Sequence, residues 1–346
     1  MSYRSCHMDI LVLALEHARS PRDGSMGHDR PSKPAKDHMT QPDKQVTPID
    51  LNYRNRPHGA AAFLVRTNQS VVLVECGPSK CTPALEQGLM EHGIQPDDVD
   101  QVFLTHIHLD HGGGTGEWTR RGAHVYVHPR GAPHLVDPSH LMASATRIFG
   151  ADLDTYLGRL DASPAESIHA VADGEKITID NAVFQAVETP GHARHHIAWL
   201  LEIDGNRHVF TGDTAGMRLP GTDFVVLPLV PPELDVERWL ASIERVRSLR
   251  ADALWLTHFG LVEDQDAFLQ QAAERIPLEC AFITDLLSRN PDAPREELRA
   301  TYRAWQLELA RPYGVTAEQL DDTCDETHYE ANLTGVARFL QKGPPS

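Results

Sequence analysis

Cysteine is scarce in this chain of 346 residues, and it shows no pairing pattern. The five cysteines are scattered, and Cys76 and Cys81 lie five positions apart rather than in a Cys-X-X-Cys pair. Such usage excludes the disulfide framework that holds small secreted domains together. It is typical of a protein kept in a reducing compartment, so we expect a cytoplasmic location.

Positive charge is also in short supply. The sequence has 32 lysines and arginines against 49 aspartates and glutamates, a net charge of −17. This balance argues against a general nucleic-acid binder, which needs a basic surface. It equally argues against electrostatic binding to an anionic membrane. A local basic patch would escape this average, but the expected partner is a small-molecule substrate.

Long hydrophobic runs are absent as well, so the sequence predicts no membrane span. The apolar run at 10–15 is bracketed by Asp9 and Glu16 and is too short for a signal-peptide core. Residues 1–45 carry scattered charge and several prolines with little periodicity. We expect them to form a disordered N-terminal extension.

What the sequence does contain is a dense group of metal-capable side chains at 106–111 (His-Ile-His-Leu-Asp-His). The apolar run 101–104 predicts a short buried strand leading into it, and three glycines at 112–114 allow the backbone to bend. Alternate residues of an extended segment point the same way, so the first two histidines share a direction. Imidazole and carboxylate groups together suit zinc, iron or manganese. The candidate ligands are His106, His108, Asp110 and His111.

The same arrangement recurs along the chain, because other strand-like runs also end at a metal-capable side chain. These are 183–187 before His192, 207–211 before Asp213, and 253–257 before His258. Strand ends on one edge of a packed sheet form a rigid rim for ligands. A histidine-rich surface turn, the simpler alternative in a chain with 20 histidines, does not account for this repetition.

The region after residue 262 has a different pattern, which predicts helices. We therefore expect a catalytic domain over 46–262 and a helical C-terminal region over 263–346. Within the catalytic domain, residues 133–162 are also expected to be helical. The aromatic residues Tyr302, Trp305 and Tyr313 would suit a core, a dimer interface or a substrate wall, and the apolar faces of these helices would suit a homodimer. The predicted C-terminal helices span 265–275, 279–288, 295–308, 317–322 and 329–340.

Taken together, these residues resemble the metallo-β-lactamase superfamily. Residues 106–111 match its HxHxDH motif, 189–192 match its TPGH motif, and 210–213 and 257–258 match the later aspartate and histidine. The resemblance implies an α+β fold, a four-layer αββα sandwich, with a two-metal centre at one edge of the strands and here a C-terminal helical appendage. The full ligand pattern resembles the glyoxalase II-like and lactonase-like hydrolases more than true β-lactamases or flavodiiron proteins.

The resemblance also implies a role for each ligand. His106, His108 and His192 would hold a first metal. Asp110, His111 and His258 would hold a second metal, and Asp213 would bridge the two. His196 aligns with a histidine often found in glyoxalase II-like members, where it would support a ligand or line the site. His195 stands where many members have glycine, and no role is assigned to it.

These assignments predict a binuclear metal-dependent hydrolase of a small thioester, ester or lactone. A hydroxide held by two divalent ions, zinc or else iron or manganese, would attack the carbonyl, and Asp110 would orient the nucleophile. Three alternatives remain open. They are a phosphodiesterase or nuclease of the same fold, a mononuclear iron dioxygenase-like member, and a non-enzymatic binding protein on a retained fold.

Overall fold

The computed structural model describes residues 45–342, so the predicted extension over 1–45 lies outside the described residues except for its last position. A first mixed sheet is built in chain order. Its first three strands are antiparallel neighbours and the last four are parallel neighbours. The strands are β1 (Val46–Asp50), β2 (Ala61–Arg66), β3 (Val71–Val74), β4 (Val99–Phe103), β5 (His124–Val127) and β6 (Ile168–Ala170).

A second sheet faces the first. Its strands are β7 (Lys176–Ile179), β8 (Ala182–Glu188), β9 (Ile197–Ile203), β10 (Asn206–Phe210), β13 (Ala253–Leu256) and β14 (Gly260–Val262). The order across this sheet is β14-β13-β10-β9-β8-β7, and only β10 and β13 pair in parallel. A short ribbon of β11 (Met217–Arg218) and β12 (Val225–Val226) follows β10 in the chain.

Strands such as β2, β9 and β13 are buried on both faces, which explains why they read as continuous apolar runs. Between the sheets the ring of Phe103 stacks on that of Phe184, with centroids 4.0 Å apart, and meets Trp199 edge-on at 4.9 Å. The indole N–H of Trp199 donates to the carbonyl of Leu104, at 2.9 Å. This contact ties β9 to the segment that follows β4 and carries the first ligands.

Helices cover both outer faces. The first face carries α1 (Thr82–Glu91), α2 (Leu109–Gly112), α3 (Thr115–Arg120), α4 (Ala132–Val136) and α5 (Ser139–Phe149). The second carries α6 (Val236–Ser248), α7 (Gln265–Arg289), α8 (Arg295–Ala310), α9 (Ala317–Thr323) and α10 (Glu326–Lys342). The αββα sandwich with C-terminal helices is thus confirmed. Within the described residues, no helix combines the length and apolar character needed to cross a bilayer.

Two helix predictions were wrong in detail. The helix expected over 133–162 is divided, because Pro138 precedes α5 and Gly150 ends it at φ 53°. The two helices expected over 265–275 and 279–288 are one helix, α7, which continues through Pro277. A proline removes one helical hydrogen bond. The buried side chains of Ile276, Cys280 and Ile283 on either side of it hold the helix together.

Candidate metal centre

The seven predicted ligands meet at one edge of the two sheets. The segment after β4 carries the first two histidines, and Asp110 and His111 lie in the first turn of α2. His192 follows β8, Asp213 follows β10 and His258 follows β13. The rim expected from the strand ends is therefore formed by both sheets and not by one.

Three histidine nitrogens converge at the first position. His106 Nε2 lies 3.0 Å from His108 Nδ1, and His192 Nε2 lies 2.9 Å from the same atom. Two nitrogens bound at 2.0–2.1 Å to one tetrahedral ion would be separated by about 3.3 Å. The three side chains thus have the spacing of ligands to a common ion.

A second group lies beside the first. His258 Nε2 is 3.3 Å from His111 Nε2 and 3.5 Å from Asp110 Oδ2. The distance from Asp110 Oδ2 to His111 Nε2 is 3.9 Å. This set offers two imidazoles and one carboxylate, again a zinc, iron or manganese donor set.

Asp213 lies between the two groups. Its Oδ2 is 3.3 Å from His192 Nε2, and its Oδ1 is 3.3 Å from His111 Nε2 and 3.7 Å from His258 Nε2. Oδ1 is buried and has no hydrogen-bond partner among the described residues. A buried carboxylate oxygen without a partner is costly unless a cation accompanies it. The donor set therefore fits two bound ions with Asp213 between them.

The outer nitrogens of these imidazoles are held by the fold. Where such a nitrogen donates its N–H outward, the lone pair of the other nitrogen faces the centre. The outward contacts are His106 Nδ1 to Thr105 Oγ1 at 3.0 Å, His111 Nδ1 to Glu75 Oε1 at 2.9 Å, His192 Nδ1 to the Pro228 carbonyl at 2.9 Å and His258 Nδ1 to the Gly59 carbonyl at 2.6 Å.

Glu75 is the most important residue that the sequence reasoning missed. It is fully buried and follows β3 with a left-handed φ of 66°. It could be grouped with His106 and His111 as a third metal set. Because it binds the outer nitrogen of His111 and accepts from the hydroxyl of Thr105 at 2.5 Å, we assign it to ligand support. Its place at a strand end, next to an apolar run, was an available signal.

Burial and neighbouring charge set the protonation of the metal-free site. Burial lowers the pKa of His106 and brings that of His108 to about 3. Burial alone would lower the pKa of His111 and raise that of Asp213, but their mutual attraction reverses both shifts. The site thus holds ionised carboxylates with mostly neutral imidazoles, which is the state that binds divalent ions.

The two histidines after the TPGH motif have different surroundings. His196 is fully buried; it accepts the Asp213 backbone N–H at 3.1 Å and contacts Thr189 Oγ1 at 2.8 Å, so it supports the Asp213 loop from behind. His195 lines the cavity above the ligands. Its Nδ1 has no partner in the described chain, and its Nε2 is 3.9 Å from Glu233.

A cavity of about 670 Å³ opens over the ligands. Five of the predicted ligands line it: His108, Asp110, His192, Asp213 and His258. Its walls come from the loop 53–59, helix α5, the loop 228–233 and residues of α9 and α10. Residues of two C-terminal helices therefore form part of the cavity wall, but Tyr302, Trp305 and Tyr313, for which a substrate wall was one of three expected roles, are not among them.

Comparison with known proteins gives one family. The model of the metallo-β-lactamase superfamily matches residues 55–258. A metallo-β-lactamase fold-containing protein of Sulfurisphaera tokodaii, ST1585, is 29% identical over 201 residues, which cover 56% of this chain and 74% of that protein. An atrochrysone carboxyl ACP thioesterase of Aspergillus fumigatus is 24% identical over 220 residues, 63% of this chain and 56% of that enzyme. The chain thus spans little more than half of this fungal relative.

Solved structures agree on the fold. A metallo-β-lactamase family protein of Thermus thermophilus, TTHA1429, superposes with a TM-score of 0.62 at 21% identity, over 86% of this chain and 92% of that one. The crystal structure of ST1585 superposes with a TM-score of 0.55 at 23% identity, over 86% of this chain and 99% of that one. This chain therefore belongs to the metallo-β-lactamase superfamily, whose members are generally metal-dependent hydrolases.

Proposed function

We propose that the protein is a binuclear metal-dependent hydrolase of a carbonyl substrate. A thioester is the preferred candidate, ahead of an ester or a lactone. The observation that carries this proposal is the position of Asp213, whose Oδ2 lies 3.3 Å from His192 Nε2 in the first group and whose Oδ1 lies 3.3 Å from His111 Nε2 in the second. The first ion would be held by His106, His108 and His192. The second would be held by Asp110, His111 and His258.

When bound, two divalent ions would lower the pKa of a water molecule and polarise the substrate carbonyl. The protein supplies the fixed surroundings of that chemistry. Four outward hydrogen bonds fix the imidazoles, so their orientation needs no rearrangement during the reaction. Zinc is the proposed ion, although iron and manganese accept the same donors.

Asp110 is the proposed proton acceptor. Its side chain is 27% exposed, whereas that of Asp213 is 5% exposed. Burial would raise the pKa of Asp110, but His111 and His258 hold it below its usual range, so the carboxylate is ionised. It lines the cavity, where it can orient an attacking water and take up its proton.

Covalent catalysis by a thiol is disfavoured. Cys76 and Cys81, the two described thiols that precede the first ligands in the sequence, are buried, and burial raises the pKa of each to about 12. At neutral pH both are protonated and therefore poor nucleophiles. This supports hydrolysis through water.

The fungal relative named as an ACP thioesterase supports a thioester within the carbonyl class. The nuclease alternative would need cations to hold phosphates. The net charge is −17, and in the part of the chain that the structure describes the cavity is lined by no lysine and by three arginines, of which Arg54 and Arg218 already have partners within the protein. The proposed partner is thus a small acyl substrate, in the cytoplasm.

The test is hydrolysis by metal-free and zinc-reconstituted protein. The panel contains S-acetyl-N-acetylcysteamine, p-nitrophenyl acetate, an acyl-homoserine lactone and bis-p-nitrophenyl phosphate. We expect zinc-dependent turnover of the thioester above the other compounds. Turnover of the phosphodiester alone would replace this proposal with the nuclease alternative, and oxygen consumption with one tightly bound iron would replace it with the dioxygenase.

A further inference from the structure

The walls of the metal cavity differ in chemistry, and one of them is an apolar stripe on α5. Leu141, Ala145 and Phe149 recur at helical spacing and line the cavity, joined by Ile148. Ala145 belongs to the core, and Leu141 and Phe149 pack against it. The stripe is therefore fixed in place by the core while its outer side faces the substrate space.

Ile148 distinguishes this wall from ordinary core. Its side chain is 38% exposed, yet it lines the cavity. The exposure of an isoleucine beside the proposed catalytic centre is explained if a ligand covers its side chain, because removing apolar surface from water is favourable. Five of the predicted metal ligands line the same continuous space, so the covering group would belong to the reacting substrate.

Two of the three arginines that line the cavity already have partners within the protein. Arg54 is paired with Asp325 and with Asp152, the latter at 3.3 Å. The guanidinium of Arg218 donates to the carbonyls of Phe259 and Leu261 at 2.8 and 2.9 Å.

Outside the ligand set, Glu233, Asp322 and Asp325 add negative charge to the lining. A carrier such as glutathione, with two carboxylates, would find few free cations here. Arg56 is the exception among the described arginines of the lining, since its guanidinium has neither an ion pair nor a hydrogen bond within the described chain. One arginine could bind a single anionic group of a carrier, but it does not make a cationic pocket.

We propose that the cavity binds the acyl half of the substrate, an apolar chain laid along the α5 stripe, while a polar carrier stays at the mouth. This inference rests on the proposed function and narrows it to medium-chain acyl thioesters and esters. It excludes short, polar acyl groups on glutathione, such as S-lactoylglutathione, as preferred substrates. A cavity of about 670 Å³ is within the usual range for such ligands.

The experiment measures kcat/KM of the zinc-loaded protein for N-acetylcysteamine thioesters from acetyl to decanoyl, with S-lactoylglutathione beside them. We expect a rise of about two- to fourfold for each added methylene until the cavity is filled. A flat or falling series, or a preference for S-lactoylglutathione, would overturn the acyl-chain assignment. Absence of turnover with every thioester, including acetyl, would instead count against the proposed hydrolase.

Matched variants locate the chain on α5. Ile148→Asp should abolish most of the gain for long chains, measured as the ratio of kcat/KM for the decanoyl thioester to kcat/KM for the acetyl thioester. Met90→Asp changes an exposed residue on α1 that does not line the cavity, 50% exposed, and should leave the whole series unchanged. If both variants keep the chain-length dependence, the acyl group does not lie along α5.

A binding measurement supplies a readout other than turnover. Calorimetric titration of the protein with octanoate and with acetate should show tighter binding of octanoate. Ile148→Asp should lower the ratio of octanoate affinity to acetate affinity by about tenfold or more. Equal affinities for the two acids would contradict the inference, whatever the catalytic series shows.

Discussion

Asn332 links the C-terminal helices to a metal ligand. Its side chain is fully buried in α10. The amide donates to the carbonyl of Leu227 and accepts the backbone N–H of Leu229, both at 2.8 Å. Pro228, between these residues, offers the carbonyl that accepts the Nδ1–H of His192 at 2.9 Å. Asn332→Leu should therefore disturb His192 through the loop without touching a ligand.

The structure sets the expected size of this effect. The variant removes the Asn332 partner of the Leu227 carbonyl and of the Leu229 N–H, which keep only their mutual hydrogen bond at 3.2 Å, so the free energy of unfolding should fall by about 1–3 kcal/mol. Loss of an outer partner of a metal ligand typically weakens metal binding by about 10–100-fold. Both effects should appear, in urea unfolding of the metal-free protein and in zinc competition with a chromophoric chelator.

Gln306→Leu is the matched control. Gln306 is also a fully buried amide, and it donates to Glu279 at 2.8 Å in the same polar network. It has no contact with the 227–229 loop among its hydrogen bonds in the described chain. Gln306→Leu should lower stability but keep the zinc affinity of wild type. If Asn332→Leu binds zinc as tightly as Gln306→Leu, the proposed link from α10 to His192 is wrong.

Three further outcomes are expected. Gly212→Ala should destabilise the protein by about 2 kcal/mol or more in urea unfolding, because φ is 49° and a Cβ would lie 2.5 Å from His196 Nε2. Gly205→Ala, at φ 84° in open space, should cost about 1 kcal/mol, and equal losses would refute the steric argument. Zinc affinity should rise as the pH rises above about 6.5, the ordinary pKa of a histidine. Burial lowers the pKa of His111 and of His258, but the neighbouring carboxylates outweigh burial and raise both pKa values. The metal-free site therefore holds protons that zinc must displace. A pH-independent affinity would contradict this. Chelation of the metal should lower the melting temperature, and zinc should restore it; an unchanged melting temperature would show that the ions do not stabilise the fold.

The sequence allowed much of the fold to be predicted, because the relevant signals are local. Alternation, apolar runs and glycine breaks located the long strands, and a ligand at each strand end indicated the edge where the site forms. Strand β1, which contains Pro48, was missed, as were the two- and three-residue strands β6, β11, β12 and β14. Such short segments carry too little periodicity to be recognised.

The supporting shell could not be predicted for a different reason. The carbonyls of Gly59 and Pro228 orient two ligands, but a backbone carbonyl has no signature in the sequence. Asn332 acts on residues more than a hundred positions away. Only the folded chain brings these groups together, so local reasoning found the candidate ligands but not what holds them.

We propose above that two metal ions share Asp213 as a ligand. The most direct test is the metal content per chain of purified protein and of Asp213→Ala, measured by elemental analysis after removal of free metal. The account predicts about two ions per chain in the wild type and loss of metal, with the activity, in the variant. One ion or none in the wild type, or full occupancy with normal turnover in Asp213→Ala, would contradict it.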